Sequence, residues 1–90
     1  MLVRAHVFVE GKVQGVSFRW MTFTKAQDMQ VNGWIRNLFD GRVEAIFEGE
    51  QKAVTEMIAF CRKGPLEARV TRVQVIWENN LKAYSRFEIH

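Results

Sequence analysis

The order in which hydrophobic periodicity changes along the chain constrains its fold more than any other feature. From Val3 to Val9 the residues alternate, with Val3, Ala5, Val7 and Val9 on one side and Arg4, His6, Phe8 and Glu10 on the other. That is the two-residue period of a half-buried strand. Beyond a glycine-containing loop the period lengthens. Phe18, Met21 or Thr22, Ala26 and Met29 recur every three or four residues to about residue 30, opposite Lys25, Gln27, Asp28 and Gln30, which predicts a first helix. Val31 to Leu38 reads as extended, Phe39-Asp40-Gly41 as a tight turn, and Arg42 to Glu48 as the returning arm of a hairpin through Val43, Ala45 and Phe47. After Gly49-Glu50, Val54, Met57, Ile58 and Cys61 form a second helical stripe. It stops near Lys63, because Gly64 suits a helix cap and Pro65 cannot continue the helix. From Arg69, the series Thr71, Val73, Val75, Trp77 alternates as a fourth strand; Asn79-Asn80 marks a turn, and Phe87 and Ile89 leave room for a short fifth strand.

The order β-α-β-β-α-β is α+β and fits the split βαβ, or ferredoxin-like, arrangement: a four-stranded antiparallel sheet with both helices on one face. Ninety residues support one core, so residues 1–90 are read as a single domain with a shallow site. There is no low-complexity tract, linker or internal repeat. Trp34, Trp77 and Phe47 alternate like core residues, Met21, Met29 and Met57 read as core filler, and Glu44, Glu48 and Glu50 as a solvated face.

Thirteen Lys and Arg against ten Asp and Glu give a net charge of +3, which favours small anions and falls short of the basic stripe of a duplex binder. The one cysteine, Cys61, permits neither an internal disulfide nor a cysteine metal cluster, and on the apolar stripe it reads as a buried hydrophobe. His6 and His90 lack partnered ligands, so no metal and no cofactor are expected. Without a signal-like or bilayer-length apolar run, the expected setting is cytoplasmic, with no membrane association and a monomeric form.

The chemistry concentrates in Gly11-Lys12-Val13-Gln14-Gly15-Val16-Ser17-Phe18-Arg19. Gly11 and Gly15 let the chain curl so that successive N–H groups point inward, and a helix starting near Ser17 adds its unpaired first amides and positive dipole end. Arg19 in that first turn opposes the dipole unless an anion sits beside it, which points to phosphate binding over a bland surface role. The loop has neither GxxxxGK[ST] nor GxGxxG spacing, which argues against nucleotide hydrolysis by either route. Ser17 suits a helix cap as well as a phosphate donor. Asn37, at the end of the second strand, is either a turn-capping amide or a functional one; a carboxamide can orient water without taking its proton.

This loop, followed by Gly33-Trp34-Ile35-Arg36-Asn37-Leu38-Phe39-Asp40-Gly41-Arg42-Val43-Glu44, resembles the two signature motifs of the acylphosphatase family. Gly64-Pro65, the valine-rich fourth strand and Phe87-Glu88-Ile89 resemble the family's second half. The resemblance implies a metal-free enzyme that hydrolyses acyl phosphates to a carboxylate and inorganic phosphate. It implies Arg19 as phosphate ligand, Asn37 as the residue that orients the water, and the amides of Gln14, Gly15, Val16, Ser17 and Phe18 as the phosphate cradle. Phe39 stands where the family commonly has proline or a polar residue, and Ser85 where glycine is usual.

Two other readings share the topology. An RNA-recognition module needs exposed aromatics on the first and third strands, but the outward positions of strand three are Arg42, Glu44, Ile46 and Glu48, and only Phe8 is well placed. Acylphosphatase-like domains also stand at the start of larger carbamoyl-transfer proteins that handle carbamoyl phosphate. A chain ending at His90 is expected to be the free-standing form.

Overall fold

Each alternating run becomes a strand and each three-to-four-residue stripe a helix in the computed structural model, which describes all of residues 1–90. The elements are β1 (Leu2–Lys12), α1 (Phe18–Met29), β2 (Asn32–Asn37), β3 (Val43–Glu50), α2 (Gln51–Lys63), β4 (Arg69–Glu78) and β5 (Phe87–Ile89). The strands form one sheet in the order β4-β1-β3-β2-β5. Both helices pack on one face of it, α2 against β1, β3 and β4 and α1 against β2 and β5. Between sheet and helices lies one core, built from Ala5, Val7, Val9 and Phe47 on the strands and from Phe18, Ala26, Val54, Met57, Ile58 and Cys61 on the helices. The expected ferredoxin-like α+β fold is therefore present, with the fifth strand formed.

The antiparallel expectation needs one correction. β5 runs parallel to β2, with Gly33 opposite Phe87 and Ile35 opposite Ile89, so the sheet is mixed. The reason is direction. β4 finishes beside Arg4, at the end of the sheet where β2 begins, so a strand laid against β2 after a short crossing must run the same way.

Other departures follow from what lies above each strand. β1 extends to Lys12, past the expected Val9, through a bulge between Glu10 and Gly11. Gly11 has φ 124°, and a Cβ there would collide with the Arg69 carbonyl, so the bulge requires glycine. The bulge shifts the phase of β4, so Val70 reaches the core and Thr71 is exposed. Trp77, expected in the core, is 51% exposed, because β4 is the sheet's edge and α2 only partly covers it. Of the Met21 or Thr22 alternatives, Thr22 is buried and its Oγ1 donates to the Phe18 carbonyl at 2.7 Å, while Met21 is exposed. Trp34 lies half-buried on the sheet's outer side, where Nε1 donates to the Tyr84 hydroxyl.

Glu44 and Glu48, expected to be solvated, are each only 6% exposed. Arg36 Nε donates to Glu44 at 2.6 Å, and His6 Nε2 lies 2.7 Å from its other oxygen. Burial pushes the Glu44 carboxyl up, but the bonds from His6 and Arg36 outweigh it and hold the group below its ordinary value of 4.5. The Glu48 carboxylate accepts the main-chain N–H groups of Lys82 and Tyr84, which ties the segment between β4 and β5 across the outer face. A buried carboxylate persists only when its lone pairs are met in this way.

Candidate active site

Four chain ends meet at one edge of the sheet: the end of β1, the start of α1, and the ends of β2 and β5. The connection from β1 to α1 is pinned by Val13, Val16 and Phe18, whose side chains are buried. That burial leaves Gly15 and Ser17 on the outside. Gly15 has φ 74° and Ser17 φ 63°, both left-handed, and the two reversals curl the chain. A Cβ on Gly15 would meet nothing within 4 Å, so glycine is needed there for backbone angle and not for space. Because β1 carries the extended pairing through Lys12, the curl spans Val13 to Ser17 and is shorter than the motif suggested.

No main-chain N–H from Gln14 to Trp20 donates to a main-chain oxygen. These are the orphan donors of a helix start extended by a nest, a concavity that favours an anion. Gln14 and Val16 contribute through main chain alone. The Gln14 side-chain amide donates to the carbonyls of Leu38 at 2.7 Å and Arg42 at 2.9 Å, clamping the loop to the β2–β3 turn, and Val16 points into the core. Ser17 occupies the N-cap position, but its side chain makes no capping bond, which corrects the cap reading. No acidic residue stands in the first turn of α1, so nothing in the helix neutralises its positive end.

Arg19 extends from that turn, and its Nη1 donates to the main-chain oxygen of His90 at 3.0 Å. β5 supplies that oxygen's position, since the His90 N–H donates to the Ile35 carbonyl at 2.8 Å and the His90 ring stacks on Trp34. Asn37 ends β2 on the helix side of the sheet, two residues past the buried Ile35. Its Oδ1 is buried and has no hydrogen-bond partner. An unmet buried acceptor is uncommon enough to ask for a ligand or a water. Arg19 and Asn37 line one cavity of about 190 Å³ with Gly15, Ser17 and Phe18, so the structure brings the predicted side chains together. Trp20 and Ile89 share that cavity and were not anticipated. A tryptophan among the early residues of a helix, off its apolar stripe, was the available signal for the first; nothing local marks the second.

The remaining candidates lie elsewhere. Cys61 is buried, and burial pushes its thiol up to about 12, so it is no nucleophile. His6 belongs to the outer-face polar cluster, 2.7 Å from Glu44 and 3.5 Å from Glu78. No group of three or more His, Cys, Asp or Glu side chains is arranged to hold a metal ion.

Comparison with known proteins agrees with this geometry. The acylphosphatase family model matches residues 5–89. An acylphosphatase of Chloroflexus aurantiacus is 60% identical over 77 residues, covering 86% of this chain and 84% of that one. The crystal structure of acylphosphatase from Bacillus subtilis matches with a TM-score of 0.95 and 33% identity, over 100% of this chain and 99% of that one. An acylphosphatase structure from Coxiella burnetii matches with a TM-score of 0.93 and 35% identity, over 99% of this chain and 93% of that one.

Proposed function

The chain belongs to the acylphosphatase family, hydrolases of acyl phosphates, and on that premise we propose how its own residues carry the reaction. The phosphoryl group of the substrate sits in the curl, its oxygens held by the amides from Gln14 to Phe18 and by the Arg19 guanidinium. Asn37 Oδ1 accepts a hydrogen bond from the attacking water and turns a lone pair of that water toward phosphorus. Water attacks in line, the P–O bond to the acyl group breaks, and the carboxylate leaves. Both water protons stay with the phosphate product until it equilibrates with solvent. A carboxylate is a weak base, so its departure needs no general acid, and charge stabilisation with positioning suffices.

The observation that carries this reading is the pairing, in one small cavity, of unmatched main-chain donors with an unmatched buried acceptor. Donors suit a phosphoryl group and an acceptor suits a water, so the two halves of a hydrolysis are represented. The outer face of the sheet speaks against RNA: Glu44, Glu48 and Glu78 crowd it with carboxylates, and the Arg42 guanidinium covers the Phe8 ring at 4.8 Å. The same reading takes the working form as a cytoplasmic monomer, in keeping with a free, buried Cys61.

Acetyl phosphate hydrolysis tests the reading, measured with and without a chelator and with inorganic phosphate added. Turnover that survives chelation and is inhibited competitively by phosphate is expected. Absence of turnover, or its loss on chelation, would sink the assignment.

A further inference from the structure

The cavity holding Arg19 and Asn37, about 190 Å³, is smaller than the roughly 300–1,000 Å³ of pockets that enclose a whole small ligand. With the phosphoryl group inside, the acyl group must emerge along the wall. Two residues of that wall are both apolar and exposed, Trp20 at 60% and Ile89 at 39%. Trp20 is not free to swing. Its ring stacks on Phe23 with centroids 5.5 Å apart and an interplanar angle of 21°, and Phe23 packs in turn on Phe87 of β5. The stack covers one face of the indole and the rest stays open at the edge of the anion site, while burial in the core falls to Phe18, Thr22 and Ala26 on the other side of the helix.

We propose that Trp20 and Ile89 form an acyl-group subsite, continuous with the phosphate cavity, that favours acyl phosphates with flat apolar acyl groups over small or charged ones. The proposal rests on the phosphate-site reading above. An aromatic acyl group stacks on the indole and loses apolar surface to Ile89, whereas an acetyl group reaches neither fully and a carboxylate-bearing one gives up hydration against them.

The test compares kcat/KM for benzoyl phosphate and acetyl phosphate in the wild type and in Trp20→Ala, Trp20→Phe and Met21→Ala. The wild type should prefer benzoyl phosphate. Trp20→Ala should lower kcat/KM for benzoyl phosphate about tenfold, chiefly through KM, and for acetyl phosphate much less, so that the ratio collapses. Trp20→Phe should restore most of the ratio, and Met21→Ala, exposed but outside the cavity, should leave it alone. A benzoyl-to-acetyl ratio unchanged in Trp20→Ala overturns the subsite while the phosphate site stands. A wild type that turns over neither compound overturns both.

Discussion

The two helices lie side by side on the same face of the sheet, yet they begin in different ways. In α2 the first amide, that of Gln51, donates to the Met1 carbonyl at 3.0 Å, and the acidic Glu50 sits at the N-cap. Its four apolar stripe residues are all buried, and Arg62 and Lys63 complement the negative end before Gly64 stops the helix. In α1 the cap residue is left-handed and its side chain bonds nothing, the first amides are unpaired, and Trp20 and Met21 face outward. Both first turns carry a cation, but Lys52 is exposed while Arg19 is aimed into a cavity. The difference teaches that α2 is built for packing, whereas the start of α1 leaves its donors without partners in the chain, as the proposed phosphate site requires. Local rules are broken where function sits.

Replacing those two cations should separate the helices most widely. Arg19→Ala should lower kcat/KM about a thousandfold, or about 4 kcal/mol of transition-state stabilisation, with little change in denaturant midpoint. Lys52→Ala should move neither quantity measurably. Asn37→Ala belongs with Arg19, but its loss should fall on kcat more than on KM, because the role proposed for it is to orient water and not to hold phosphate. Steady-state kinetics on folded, purified variants decides, and near wild-type turnover in Arg19→Ala would remove the basis of the comparison.

The converse lesion lies in α2. Met57 is fully buried in the core, and Met57→Ala should cost about 3 kcal/mol by urea titration while leaving turnover per folded molecule unchanged. A loss of kcat beyond the unfolded fraction would mean that the helices are not the separate devices described here.

Much of this division was legible in the sequence, because α2 and β1 are amphipathic and periodicity reports directly which face is covered, whereas α1 has only a weak stripe and leaves Trp20 and Met21 outside it. The curl was legible in part: Gly15, a helix start and a cation in its first turn are local features, whereas Gly11 turned out to serve the bulge in β1. What the sequence hid depended on distant neighbours. Trp77 alternates in phase with the core yet sits on an edge strand, and no local pattern says which strand is the edge. The parallel course of β5 depends on where β4 ends. Glu44 and Glu48 read as solvated because their partners, His6, Arg36 and the segment around Lys82 and Tyr84, lie on other elements.

Glu44 therefore offers a third test, one that concerns the sheet face opposite the helices. Its folded-state carboxyl titrates below the ordinary value of 4.5, so the unfolded chain takes up the proton first as pH falls. The stability it contributes is complete above that value and is lost as pH drops through the lowered one. Glu44→Gln should thus cost about 2 kcal/mol at neutral pH, with the gap closing in acid below 4.5. Urea titrations at neutral pH and in acid measure it; a gap that widens in acid would reverse the assignment. Turnover, whose residues lie on the helix side of the sheet, should change little at neutral pH.

The smallest effect is the most discriminating, because its two parts have opposite signs. Ser17 sits at the N-cap of α1 in a left-handed conformation that Asp and Asn tolerate better than most residues. Ser17→Asp places a negative charge at the uncompensated helix start and should stabilise the fold by about 0.5 kcal/mol. The same charge occupies the concavity proposed for phosphate, so competitive inhibition by inorganic phosphate should weaken about tenfold. Ser17→Asn separates charge from shape and should show neither change in full. If the aspartate variant gains stability and binds phosphate as before, the unpaired donors of α1 serve the helix alone. If it gains stability and loses phosphate, the electrostatic frustration at the start of α1 is the binding site itself.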